Sequence, residues 1–534
     1  MLQIIIRKTV QFYNSKNRWW LPLVCGILFS LCLPPFNHEF HPLFSLFPFL
    51  NFVVLIPLLG FASQKSFRRA AFHTYLFSFA ASLSQYYWIA FDKAEGLWHL
   101  ILIGLVLICA VVGIFYLIAG LLFRVIYKKL PRFYILFYPM VWVLIDYGRS
   151  LGDISFPWGF LGYSLTPLLP LAQIASVTGV WGLTFLILLG NMLFWELGIC
   201  YYEGNNRFQK TIHIAVFALV LILISVWGGS RMKKEPLDSD TATVSLLQSN
   251  LDQLSWGKNS LDSAFNITEN LFYQASRKSP DLMIGPESAL LCYIDKQPSL
   301  RNRVLSWTSS TGIPFVFGSL QWNKAPDESY YDYHVYNTAF LVKPNESFLE
   351  SYFKIKLVPF SEAIPFEGLF PLLSRVNLGE ADFQRGTDYT VYSIDKMKAA
   401  PFICYEIIYP GFVQKRLKNG ANLIVNITND GWFGKSSGPF QHATMSRLRS
   451  IENGVQMVRC ANSGISMHVD HFGRVIEKTG LYERTVLTST CLLKSPNTFY
   501  SKWGDWIIYL FAIVTVCTSV RVTVKSKFRK PEKN

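Results

Sequence analysis

The sequence predicts a protein in two parts: a bundle of apolar membrane helices and one large α/β domain outside the bilayer. Three observations predict it. Apolar segments of bilayer-crossing length crowd the first 229 residues and return once near the C-terminus. Basic residues gather between those segments on one side only. Between the two apolar regions, residues 243–490 alternate short β-rich runs with polar or helical stretches.

A span needs roughly 20 apolar residues. Seven candidates lie near 20–37, 45–62, 70–91, 99–124, 134–147, 177–198 and 210–228, and an eighth, DWIIYLFAIVTVCTSV, at 505–520. The chain thus divides into a membrane domain (1–229), an extramembrane domain (230–503), and a last span with a basic tail (504–534). The first apolar segment follows basic residues, as a signal peptide would. It ends in LCLPPF with no small-residue cleavage site, and is therefore an uncleaved span.

The formal net charge is +15. Arg7, Lys8, Lys16 and Arg18 precede the first span, and Lys65, Arg68 and Arg69 follow the second. Arg124, Lys128, Lys129 and Arg132 follow the fourth, Arg207 and Lys210 the sixth, and Arg521, Lys525, Lys527, Arg529, Lys530 and Lys533 the eighth. The rest of the chain is close to neutral. In an eight-span arrangement every cluster falls on the same face, so both termini are expected in the cytoplasm and the large domain opposite them. The charge reports topology and not nucleic-acid binding. The nine cysteines show no CxxC or zinc-type spacing, so no metal and no particular disulfide is indicated.

In the large domain, strands are expected at 243–249, 281–287, 314–321, 334–342, 399–406, 421–428, 455–462 and 464–470, with helices at 261–277 and 440–453. Several strands are near-continuous apolar runs, as in sheets covered on both faces. That is a layered α/β domain.

Three stretches end in chemically capable residues. DLMIGPES carries Glu287, YFKIKLVPFSEAIPF carries Lys354, Lys356 and Glu362, and FICYE carries Cys404 and Glu406. Singly, each has an ordinary reading: a solvated glutamate, an exposed lysine, a buried small cysteine. Together they form a set. A thiol needs a base to become a thiolate, and a cation to stabilise the oxyanion that its attack creates. In an extended segment Lys354 and Lys356 point the same way, so periodicity does not choose between them.

The order Glu, Y-x-K-x-x-L, C-Y-E resembles the nitrilase superfamily, whose fold is an α-β-β-α sandwich. LVPFSEAIPF at 357–366, ICYEIIYP at 403–410, NDGWFGKSSGPFQH at 429–442, RSIENG at 449–454 and LIDYGRSLGDISFPWGFLGYS at 144–164 resemble, more narrowly, the apolipoprotein N-acyltransferase family. The resemblance implies eight membrane helices joined to a nitrilase-like α/β domain in the periplasm, at the bacterial inner membrane. It implies Glu287 as general base, Lys354 as oxyanion-stabilising cation and Cys404 as nucleophile. Glu362 and Glu406 match supporting glutamates of the family, and Tyr405 and Trp432 match residues lining the site or its cover. Ser361, where the family often has Gly, and Asp146, where Glu is common, are departures outside that trio.

The implied reaction moves an acyl chain from a membrane phospholipid to Cys404 as a thioester. It then moves to the α-amine of an S-diacylglyceryl-cysteine at an apolipoprotein N-terminus, the last step of lipoprotein maturation. No cofactor is implied, and nothing in the sequence calls for more than a monomer. Aromatic stretches such as SFPWGFLGYS are candidates for a lipid-facing wall or an interfacial belt. Two other readings compete: a membrane-tethered amidase, in which water resolves the acyl-enzyme, and a transporter or scaffold with an inactive domain. The spans and LVPFSE disfavour the first; the intact Glu-Lys-Cys set disfavours the second.

Overall fold

The computed structural model describes residues 19–34, 47–91, 98–131, 133–203, 207–233, 240–252, 258–325, 332–365 and 383–528. The basic residues expected ahead of the first span, and Arg132, Arg529, Lys530 and Lys533, lie outside these. Among the described residues three helices are long and apolar enough to cross a membrane: Trp98–Lys129, Ala175–Cys200 and Phe208–Arg231. Leu21–Cys32, Tyr134–Gly148 and Trp506–Val522 are shorter apolar helices, and Ile56–Ala62 and Phe67–Tyr86 fall at the remaining expected positions.

The helix Trp98–Lys129 sorts its side chains by face, whereas Ala175–Cys200 is mostly buried and Phe208–Arg231 mostly outward. On Trp98–Lys129, Ile103, Leu107, Val111 and Ile114 are exposed, while Cys109, Val112, Tyr116 and Phe123 are buried against neighbouring helices. Apolar residues on the outer face are what a lipid environment requires. The helix containing Val180 is broken at Gly179, whose φ of +66° suits a residue without Cβ. The break leaves the Val180 N–H free of the helix, and the Glu452 carboxylate of the large domain accepts it at 2.9 Å.

The large domain is two stacked sheets. In chain order the strands are β1 (Thr241–Gln248), β2 (Leu282–Ile284), β3 (Leu290–Tyr293), β4 (Phe315–Lys324), β5 (Tyr333–Val342), β6 (Glu350–Phe353), β7 (Tyr392–Ile394), β8 (Met397–Ile403), β9 (Leu423–Thr428), β10 (Met457–Ala461), β11 (Met467–Val469), β12 (Val475–Lys478) and β13 (Thr485–Leu492). The first sheet runs β13-β1-β2-β4-β5-β6, with β3 on β4; the second runs β12-β11-β10-β9-β8-β7. Each is parallel at its centre, β1-β2-β4 and β8-β9-β10. The last strand, β13, returns to pair antiparallel with β1.

Inward residues of both sheets, including Val244, Leu246, Ile284 and Val316 against Ile403, Val425, Ile427 and Val458, form one core. Helices Lys258–Ser276 and Pro298–Thr311 cover the outer face of the first sheet through Phe272, Trp307 and Phe315. This is the expected α-β-β-α order. The helices over the second sheet, Pro410–Leu417 and Gly438–Asn453, share one continuous core with the membrane helices.

That shared core corrects one sequence-based expectation. Trp158, Phe160 and Tyr163 of SFPWGFLGYS face neither lipid nor the interface but are buried. Trp158 Nε1 donates to Gln441 at 2.8 Å and the Tyr163 hydroxyl to the Ile408 carbonyl at 3.1 Å. Asp146 and Arg149, at the same end of their helix, are a buried pair 3.5 Å apart, with Arg149 also donating to the Trp158 carbonyl.

Candidate active site

Glu287, Lys354 and Cys404 sit just past the ends of β2, β6 and β8. Glu287 follows β2 after Gly285-Pro286, and it is 5% exposed. Its turn lies flat on β4: a Cβ on Gly318 would be 2.6 Å from the Glu287 Cα, so only glycine allows the approach. Lys354 follows β6 and is 1% exposed.

The Lys354 ammonium donates to Glu287 at 3.2 Å and to Glu362 at 2.6 Å. Burial opposes that ammonium, but the carboxylates of Glu287 and Glu362 outweigh it and hold its pKa above the usual lysine value. Burial, partly offset by Lys354, raises the Glu362 pKa. Glu362 is further fixed by the Val358 N–H at 2.9 Å. Lys356, which periodicity left equivalent, lies elsewhere: its ammonium sits 5.2 Å from the Tyr409 ring centre. Lys354 is therefore the lysine that meets both glutamates.

Cys404 ends β8 and opens a short helical turn, Cys404–Ile408, with φ of +49°. A non-glycine residue in that region is uncommon, and the bend turns the thiol out of the strand plane. Burial, then Glu287, raises the thiol pKa; Lys354 and the polar Thr428 side chain pull the other way. Thiolate formation here needs a base close at hand.

Glu406 is fully buried and does not reach into the site. One oxygen accepts from the Tyr352 hydroxyl at 2.6 Å and from the N–H groups of Ile355 at 2.7 Å and Lys356 at 3.2 Å. The other accepts the Ile403 N–H at 2.8 Å. Arg416, 3.9 Å away and stacked over Tyr352 and Phe402, supplies the balancing charge. Glu406 thus ties the lysine segment to the cysteine turn. Tyr405 points away from the glutamates, its hydroxyl donating to the Ser155 carbonyl at 3.1 Å in the membrane domain. Trp432 lies half-buried in the turn Asp430–Phe433.

Two features escaped the sequence reading. Asn337 of β5 donates to Glu287 at 2.9 Å and Glu362 at 3.3 Å, bridging the two carboxylates. In HVYNTAFLV it sits beside Thr338 and after His334, so its polarity alone did not single it out. On the far side of Cys404, the His442 ring lies between Asp430 Oδ1, 2.8 Å from Nδ1, and the Cys404 carbonyl, 3.2 Å from Nε2. Both residues belong to NDGWFGKSSGPFQH, whose polar residues carried no assigned role.

The Cys404 sulfur, an Asp430 oxygen and a His442 nitrogen lie within 4.8 Å of one another, donor types that suit zinc. Arg459 already fills that space, 2.6 Å from Asp430 and 3.0 Å from His442, so a cation there would meet a guanidinium.

The arrangement can therefore deprotonate a thiol and stabilise an oxyanion beside it, at the seam with membrane helices. Residues 243–495 match the carbon-nitrogen hydrolase family model, and residues 25–193 match that of the apolipoprotein N-acyltransferase N-terminal domain. An apolipoprotein N-acyltransferase of Geobacter metallireducens is 33% identical, covering 72% of this chain and 74% of the relative. One from Rickettsia prowazekii is 30% identical, covering 92% and 96%. A solved amidase from Nesterenkonia is 18% identical over 51% of this chain and 96% of that one, with a TM-score of 0.36.

Proposed function

This chain belongs to the apolipoprotein N-acyltransferase family and is a membrane acyltransferase; from that premise we propose that it acylates lipoprotein N-termini from phospholipid through Cys404. The observation that carries the reading is the buried Glu287–Lys354–Glu362 cluster beside a cysteine held on a left-handed turn.

In the first half-reaction Glu287 takes the Cys404 proton and the thiolate attacks the ester carbonyl of a phospholipid acyl chain. Lys354 stabilises the oxyanion. The C–O bond then breaks, Glu287 returns the proton to the departing lysophospholipid alkoxide, and the acyl group remains as a thioester. In the second, the α-amine of an S-diacylglyceryl-cysteine attacks the thioester carbonyl. An α-amine has a pKa near 8, so a useful fraction is neutral at pH 7. Glu287 accepts the amine proton as the C–S bond breaks and passes it to the Cys404 thiolate, leaving an N-acyl amide and the resting enzyme.

Both substrates carry two acyl chains, and lifting each CH₂ into water costs about 0.8 kcal/mol. Transfer therefore belongs at headgroup level. The continuous core joining the Gly438–Asn453 helix to the membrane helices supports that placement. In this reading the chain has eight spans, both termini in the cytoplasm, a periplasmic domain over 230–503 and a monomeric working state. Glu362 and Glu406 position Lys354 and the Cys404 turn, and Trp432 lines the approach.

The test incubates purified full-length protein with phospholipid in detergent and weighs the Cys404 peptide. An acyl adduct that is lost in Cys404→Ala, and that a diacylglyceryl lipopeptide discharges into an N-acyl product, is expected. Absence of the adduct in wild type would sink the nucleophile. Free fatty acid as the sole product would instead favour hydrolysis.

A further inference from the structure

Cys404 has a second set of neighbours that the reaction above leaves unused. Thr428, the last residue of β9, stands beside Cys404, one residue past the Ile403–Ile427 pair of the parallel strands β8 and β9, and its hydroxyl donates to Asp430 Oδ1 at 3.1 Å. Asp430 is held in place from the other side, by Arg459 at 2.6 Å and His442 at 2.8 Å. His442 closes the circuit at the Cys404 carbonyl, and Arg459 is fixed in turn by Asn426 of β9. Thr428, Asn426, His442 and Arg459 have no exposed surface.

A hydroxyl has one hydrogen to give. Beside a neutral thiol, Thr428 can donate to Asp430 and accept from S–H. Beside a thiolate, the sulfur needs donors, and a hydrogen bond to an ionised acceptor is about twice as strong as a neutral one. Asp430 can release the Thr428 hydrogen because Arg459 still donates to its other oxygen at 2.6 Å.

We propose that Thr428 is a further catalytic residue, whose hydroxyl turns from Asp430 to donate to the Cys404 thiolate, with Asp430, His442 and Arg459 as positioning residues. Thr428 keeps its proton throughout; the thiol proton goes to Glu287, and no other bond breaks. The charged and titratable groups around the sulfur are Glu287 after β2, Lys354 after β6 and Asp430 after β9. A His442 nitrogen lies within 4.8 Å of the sulfur as well, and Glu362 and Arg459 stand behind these. Thr428 carries no charge, so its removal changes no formal charge.

The inference rests on Cys404 being the nucleophile, and its test needs no lipid. Full-length protein in detergent is stripped of any acyl group with hydroxylamine. It is then alkylated with iodoacetamide across pH 6–10, and the Cys404 peptide is quantified by mass. In Thr428→Val the alkylation rate should be about tenfold slower at each pH below the thiol's midpoint, the loss that a midpoint raised by about one pH unit gives. Thr428→Ser should restore the wild-type rates. Thr428→Ala, which adds no methyl group to a buried site, should shift as Val does. Superimposable profiles for wild type and both hydroxyl-free variants would overturn the proposal, as would a Ser variant that behaves like Val. A missing acyl adduct on Cys404 would instead overturn the nucleophile reading and leave these profiles unaffected.

Discussion

Glu406 accepts the backbone N–H of Ile355 at 2.7 Å, one residue beyond Lys354. The same carboxylate accepts the N–H of Ile403, one residue before Cys404. One buried side chain therefore sets the distance between the cation and the thiol without touching either. Each of its contacts is a donor, so only an acceptor-only group satisfies them all.

Glu406→Gln should consequently be severe although it is nearly isosteric. Its amide N–H₂ would face donors on one side and leave Arg416 without its buried counter-charge. Breaking a buried pair in this way costs about 3–5 kcal/mol. We expect a clear drop in the thermal midpoint in detergent and loss of the Cys404 acyl adduct. An unchanged midpoint with full adduct would show that the tie is dispensable.

The two lysines of YFKIK should separate cleanly. Removing an oxyanion-stabilising donor typically costs 10²–10³ in rate, so Lys354→Met should reduce transfer by about that factor. Lys356→Gln, which loses an ammonium placed over the Tyr409 ring and away from Glu287 and Glu362, should stay within about tenfold of wild type. Initial-rate assays with a diacylglyceryl lipopeptide decide it; equal losses in the two variants would refute the assignment.

The sequence made the outline of this site readable because its parts lie at strand ends with distinct local grammar. GPE, Y-x-K and CYE each mark where an apolar run stops. Hidden from it were residues whose role exists only through long-range pairing. Asn337 reaches Glu287 because β5 and β2 both flank β4, and nothing near position 337 announces it. The return of β13 onto β1 was likewise unreadable, since alternation within TVLTSTCL names no partner. The seam misled in a different way. Trp158 and Tyr163 have the composition of an interfacial belt, and burial against a second domain leaves no separate mark in the sequence.

That seam leads to a prediction about the large domain alone. Freed from the membrane helices, it would expose Tyr405, Tyr409 and Phe433, which now pack with Trp88, Trp158 and Ser155. A contiguous apolar face of this kind promotes association. Residues 240–503 expressed without the helices should aggregate, or bind detergent, as judged by size-exclusion chromatography with light scattering. A monodisperse, detergent-free monomer would contradict the shared core.

Glu452 gives the same seam a pH dependence. It lies in the large domain, fully buried, with one oxygen on the Val180 N–H and the other without a hydrogen-bond partner among the described residues. Burial, only partly offset by Arg449, raises its pKa from 4.5 to about 7. A raised carboxylate pKa means that the folded protein keeps a proton that the unfolded chain has lost. Below pH 4.5 both states hold it and stability is at its full value. Between pH 4.5 and about 7 stability falls as pH rises, by on the order of a few kcal/mol, and above that window it is level. Glu452→Gln preserves the oxygen that accepts from Val180 and has no proton to lose. The difference between wild-type and variant thermal midpoints, followed from pH 4.5 to 8 at fixed ionic strength, should therefore change across that window and be flat above it. A constant difference would show that Glu452 does not titrate there, and the break at Gly179 would then be held by the same bond at every pH.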